Sequence, residues 1–127
     1  MVFHNKEKLY RAVWPQKKKP NFWKKPRNGK MRVSTAAFID PNGLSVEYGD
    51  NRSSQDVIDI MQQFFSGHIL SFTVEHCDQV QAVIKHFPTS RSSYHCEVHG
   101  SESQKVLSDE QAEELSLKAV IEYSDEL

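Results

Sequence analysis

The sequence is poor in the residues that mark several functional classes. Cys77 and Cys96 are its only cysteines. They form no C-x-x-C pair, and two such thiols fit a reducing compartment better than a disulfide framework. Glycine is equally scarce, with five residues and none grouped, so no Gly-rich phosphate loop can be placed on the chain. Nucleophile-elbow and kinase-type motifs are missing too. Serines are common, but no Ser-His-Asp order stands out. The longest unbroken apolar run is the four residues Ala36-Ala37-Phe38-Ile39, against the roughly 20 that a membrane helix needs. The N-terminus holds no apolar stretch that could act as a signal peptide, so a cytoplasmic location is expected. The closing Ser-Asp-Glu-Leu resembles an endoplasmic-reticulum retention tail, a coincidence where no leader accompanies it.

Acid is almost missing from the first quarter of the chain. Met1 to Arg32 carries eleven lysines and arginines and a single acid, Glu7, a net of +10. The remaining residues carry five basic and sixteen acidic side chains, a net of −11, which leaves the whole at −1. Such asymmetry points to a polyanionic partner or to a chain whose own halves attract one another.

The 127 residues are 38% apolar and 26% charged, which suits one ordinary globular domain, residues 1–127. Lys8–Val13 reads as a strand, with Leu9, Arg11 and Val13 on one face, and Trp14-Pro15 ends it. Pro15 to Lys30 holds Pro15, Pro20 and Pro26, a Lys17-Lys18-Lys19 run, Phe22-Trp23 and an Asn28-Gly29 turn signal. No regular element suits it, and a long basic loop over 14–30 is expected. Met31–Ile39 reads as a strand that returns through the Asp40-Pro41-Asn42-Gly43 turn to Leu44–Tyr48, forming a hairpin. Ser53 or Ser54 caps a helix over Gln55–Phe65, whose stripe is Val57, Ile58, Met61, Phe64 and Phe65, with Gly67 as its C-cap.

Ile69–Val74 is a further strand, Glu75–Gln79 one helical turn, Ala82–Ile84 a short strand and Tyr94–His99 another. Ser108 and Gln111 match a capping box, and the helix they open runs to about Tyr123. The order predicts an α+β fold: a mainly antiparallel mixed sheet of five or six short strands with two helices packed on one face.

The basic loop is the most informative constellation. Lys17, Lys18, Lys19, Lys24, Lys25, Arg27 and Lys30 interleave with Trp14, Phe22 and Trp23. Cations for phosphates beside aromatics for bases are what single-stranded nucleic-acid binding requires. An acidic protein surface is an equal match for the charge. The alternatives are a solvated loop whose aromatics tuck into the core, or a loop docked on the protein's own acidic surface.

His68, His76, His86, His95 and His99 fall near the two cysteines. His95 and His99 share a strand face but lie roughly 13 Å apart at about 3.3 Å per residue, too far to hold one ion together. No metal is expected. His95, Glu97 and His99 form an alternating polar face that could supply a general base or simply meet solvent.

Two resemblances add to this reading. Leu9-Tyr10-Arg11, Ser34-x-Ala36-Ala37-Phe38, Gly43-Leu44-Ser45-Val46 and His95-x-x-x-x-Gly100 resemble a set of small uncharacterised bacterial and phage proteins. These open with "LYR", carry an "SxxAF…LSV" hairpin and place a histidine strand before a C-terminal helix. The resemblance covers most of the chain and implies an independent domain, with no activity attached. Arg11, Ser34-Thr35 and Glu97 (or Glu102) also fall in the order found in ADP-ribosyltransferase-like domains of the RES type. That resemblance implies an NAD-using enzyme in which Arg11 grips the pyrophosphate and a carboxylate holds a ribose hydroxyl. The glycines expected near the nicotinamide are missing.

The sequence therefore favours a non-catalytic binding module that contacts nucleic acid or an acidic protein surface and needs no cofactor. An NAD-using transferase and a phage or mobile-element protein inhibitor are the other readings.

Overall fold

A computed structural model of the chain describes residues 1–124. The retention-like tail therefore lies outside the described residues, apart from Ser124. No helix among the described residues is long and apolar enough to cross a membrane.

The fold is α+β. Six strands form one antiparallel sheet and two more form a separate ribbon. Strand β1 (Lys8–Val13) lies near the middle of the large sheet. It pairs along its whole length with β5 (His68–Thr73), Leu9 opposite Phe72 and Val13 opposite His68. On its other side it meets β4 (Leu44–Tyr48) only at Leu9 and Tyr10. Beyond Tyr10 the two strands part.

Outside β4 lie β7 (His95–His99) and then β6 (Val83–His86) at one edge. The other edge is β8 (Val120–Tyr123), which pairs with β5. The sequence placed residues 120–123 in the last helix. Instead α3 (Asp109–Lys118) stops after ten residues, where Ala119 turns extended at φ −65° and ψ 141°. The β-branched Val120-Ile121 pair then suits a strand better than another helical turn.

The expected hairpin of 31–39 with 44–48 does not form. Lys30–Val33 is a strand, β3, but its partner is β2 (Trp23–Arg27). Thr35–Phe38 is a tight helical turn that buries Ala37 and Phe38. The 40–43 turn is present, with Gly43 at φ +95° donating to the Asp40 carbonyl at 3.1 Å. It joins a helical turn to β4 rather than two paired strands. The 14–30 loop is likewise partly regular. Asn28 (φ 55°) and Gly29 (φ 73°) make the two-residue, doubly left-handed turn that suits the twist of a hairpin.

The helices flank opposite faces of the sheet rather than sharing one. Leu9, Phe72, Leu70 and Val98 pack with Ala112 and Leu115 of α3 and with Cys77 of the short α2 (Val74–Gln79) in the larger core. Tyr10 and Ile69 point the other way and pack with Val57, Ile58 and Met61 of α1 (Ser54–Gln62). The caps stand as read: Ser53 accepts from Asp56, and Ser108 and Gln111 satisfy each other's backbone. Helix α1 ends at Gln62, so Phe64 and Phe65 leave the buried stripe and stand 45% and 46% exposed. Gly67 (φ +104°) turns the chain into β5 beside Val13, where a Cβ would lie 2.5 Å from the Val13 carbonyl.

Candidate functional site

The parting of β1 and β4 shapes a cleft of about 740 Å³. Tyr10, Ala12, Ser45, Glu47 and His95 contribute to its strand-borne lining on the α1 side. Phe64 and Phe65 after α1 form one wall, and residues 89–92 another. Trp14, Lys19 and Phe22 also line it. The size suits a drug-sized or nucleotide-sized ligand, and an apolar wall with few polar groups is typical of such sites.

Arg11 sits where the ladder fails. Its Nε donates to the Ala37 carbonyl and its Nη1 to the Ser45 carbonyl, both at 3.1 Å. The guanidinium thus satisfies a backbone acceptor of β4 beyond the point where the β1–β4 pairing has ended. Burial lowers it to about 10, partly opposed by Asp40. Among the described residues no carboxylate lies in ion-pair distance of it.

Glu47 is a buried carboxylate on the cleft lining. Its Oε2 accepts from Arg52 at 3.0 Å and from the Ser92 hydroxyl at 2.8 Å. Arg52 is itself fixed, donating to the Gly49 and Tyr48 carbonyls and lying 3.8 Å from the centre of the Tyr94 ring. Oε1 of Glu47 has no hydrogen-bond partner among the described residues. Directly across the β4–β7 ladder stands His95, whose Nδ1 is 2.8 Å from the Phe87 carbonyl. A carbonyl only accepts, so Nδ1–H donates to it, which leaves Nε2 an acceptor when the ring carries a single proton.

The basic segment divides between core and solvent. Trp23 is 8% exposed, its Nε1 donates to the Trp14 carbonyl at 2.8 Å, and its ring meets His68 edge-on at 4.8 Å. Phe22 is half-buried against the same core. These two aromatics therefore take the core role that the sequence left open. Trp14 remains 43% exposed, with the Lys18 ammonium 4.6 Å from its ring centre.

The β2–β3 ribbon carries Lys24, half-buried, and Lys25, Arg27 and Lys30, exposed. Arg32 donates twice to the Lys25 carbonyl, at 3.0 and 2.8 Å, across the irregularity beside Pro26. Lys17, Lys18 and Lys19 are exposed on a turn closed by the Pro15 carbonyl. None of these seven cations is ion-paired with a carboxylate among the described residues. Among the described residues the segment therefore makes no ion pair with the protein's own acidic surface.

The residues of the transferase-like order are not brought to one point. Arg11 lines the cleft, whereas Ser34, Thr35 and Glu97 are not among the residues that do. The Ser34 hydroxyl is held by the Asn21 carbonyl, and Thr35 opens the helical turn before Phe38. Glu97 is tied to His99 at 2.8 Å, and Glu102 to Lys85. The face of His95, Glu97 and His99 is not simply solvated, because His99 is 6% exposed under Phe87, with the rings 6.1 Å apart.

Among the described residues no group of three or more potential ligands could hold a metal ion. Cys77 and Cys96 are buried free thiols, each pushed up to about 12 chiefly by burial. Neither suits nucleophilic chemistry, which needs the thiolate. The feature that sequence reasoning missed is the cleft itself. Its one legible signal was the aromatic pair Phe64-Phe65, which was assigned to the core. A comparison with family models, curated proteins and solved structures finds no match to this chain.

Proposed function

We propose that this protein is a non-catalytic module that binds nucleic acid through the β2–β3 ribbon and the adjoining Lys17–Lys19 turn. One observation carries the reading: seven cations on one segment have no carboxylate partner among the described residues, although the chain beyond Arg32 carries a net charge of −11. Unpaired cations release counterions from a phosphate backbone, the main source of affinity in such complexes. The acidic remainder opposes indiscriminate wrapping of the polyanion and confines contact to the ribbon.

Fluorescence anisotropy with short labelled DNA and RNA, single- and double-stranded, tests this across a salt series. Affinity should fall with a log–log slope of about 0.7–0.9 per phosphate contact. Reversing Lys24 and Lys25 to glutamate should abolish binding and leave the melting temperature nearly unchanged. Absence of binding at low salt would overturn the reading and favour an acidic protein surface, as an inhibitor of another protein would use.

A second reading, an NAD-using transferase, is favoured by Arg11, a residue of the cleft lining with no carboxylate partner among the described residues. NAD at 100 times its dissociation constant would stabilise the fold by roughly 2.7 kcal/mol. An unmoved melting curve at millimolar NAD would remove it.

A further inference from the structure

We propose that the cleft between β4, β7 and the end of α1 takes one unpaired base of a bound strand, and that it selects guanine. The inference rests on the nucleic-acid reading and adds a specificity to it.

Continuity links the two surfaces. Lys19 and Phe22 line the cleft, and the chain passes from Phe22 directly into the ribbon at Trp23. A strand held by the Lys17–Lys19 turn therefore runs past the cleft mouth. The walls suit a flat ring. Phe64 and Phe65 are each nearly half exposed, and the Arg91 guanidinium lies 5.6 Å from the Phe64 ring centre. Aromatic faces of this kind stack on unpaired bases, and a cation beside them serves the adjoining phosphate.

The lining adds the selectivity. Glu47 Oε1 and His95 Nε2 are two acceptors on cross-strand neighbours, and neither has a partner among the described residues. Oε2 of Glu47 is already saturated by Arg52 and Ser92, which fixes the carboxylate plane. Two acceptors on facing side chains, Glu47 Oε1 and His95 Nε2 of the singly protonated ring, match an edge with two adjacent donors. Guanine offers this in N1–H and the N2 amino group. Adenine and cytosine each present an acceptor at the ring nitrogen, which would face a lone pair, and uracil and thymine present one donor between two carbonyls. A pair of well-formed hydrogen bonds to a base discriminates by about tenfold or more.

The test compares labelled octa-adenylate strands that differ at one central position: G, A, C, U or inosine. The G strand should bind about tenfold more tightly than the A, C and U strands. Inosine, which keeps N1–H and lacks the amino group, should fall between them. Glu47→Gln should erase the preference while the salt slope and the affinity for the all-A strand persist. Because that change also loosens Arg52, Phe64→Ala serves as the second variant, and it should weaken the G strand about tenfold without unfolding.

Equal binding of all five strands would overturn the cleft proposal and leave the ribbon reading intact. A preference for another base would overturn it as well. Failure of every strand to bind would remove both.

Discussion

The two faces of the large sheet are built from alternate residues of the same strands, yet they are finished differently. On one face Leu9, Leu44, Val46, Leu70, Phe72 and Val98 are covered by α3 and the Thr35–Phe38 turn, and all are at most 3% exposed. On the other, Tyr10 and Ile69 are covered by α1, but Ser45, Glu47 and His95 line an open cleft. A sheet closed on both sides would have no place for a ligand. Here one face is closed by helices, and the other is closed at Tyr10 and Ile69 and open at Ser45, Glu47 and His95.

If that division is real, the largest stability effect falls on the closed face. Phe72→Ala should cost about 3–5 kcal/mol, the range for a fully buried aromatic, since Phe72 is 1% exposed and packs on Phe38 at 5.6 Å. Urea denaturation would measure it. A loss below 1 kcal/mol would mean that this face is loosely packed.

The buried thiols report on the same face. Cys77 and Cys96 are raised from 9.0 to about 12. Between those values the thiols ionise only in the unfolded chain, which then binds fewer protons than the folded one. The thiols' contribution is full below about pH 9 and is lost as pH rises toward 12. At pH 10 the two sites together should cost about 2–3 kcal/mol relative to pH 8. The same comparison in a Cys77→Ala, Cys96→Ala variant removes this part of the loss. An equal loss in both proteins would show that the thiols ionise freely in the fold.

Much of the closed face was legible in the sequence, because apolar alternation in Lys8–Val13, Ile69–Val74 and Tyr94–His99 is a local signal. So were the caps at Ser53 and Ser108, whose chemistry is confined to one helical turn. Pairing was not legible. Met31–Ile39 and Leu44–Tyr48 both read as strands about a strong turn, but residues 35–38 form a helical turn that buries Ala37 and Phe38 in the core with α3. The Asn28-Gly29 signal was visible, yet Pro26 and the lysines argued against any strand beside it. The cleft depends on where β1 and β4 part and where α1 stops, and neither is written in a local pattern.

A smaller effect belongs to the edge that joins the faces. Glu122 on β8 accepts from Lys8 at 2.8 Å and from the buried Ser71 hydroxyl at 2.6 Å. Lys8 also reaches Ser54, which shares a hydrogen bond with the Tyr10 hydroxyl. Glu122→Ala should cost about 1–3 kcal/mol, mostly through the Ser71 hydroxyl left without its partner. Amide exchange should rise first in β8. Unchanged exchange there would mean that pairing with β5 alone secures the edge.

The smallest stability effect is expected in the cleft, and it sharpens the contrast most. Phe64 and Phe65 are aromatic, lie next to a buried helix and would ordinarily be counted with the core. Their exposure says otherwise, because a side chain already near half open loses little burial on truncation. Phe65→Ser should therefore change the unfolding free energy by about 0.5 kcal/mol or less. An exposed apolar wall of this kind contributes little to stability and is the sort of patch that marks contact surfaces in general. Should Phe65→Ser destabilise the protein by 2 kcal/mol or more, the cleft would be closed in solution. Both faces of the sheet would then be structural, and the ribbon would stand alone as the binding surface.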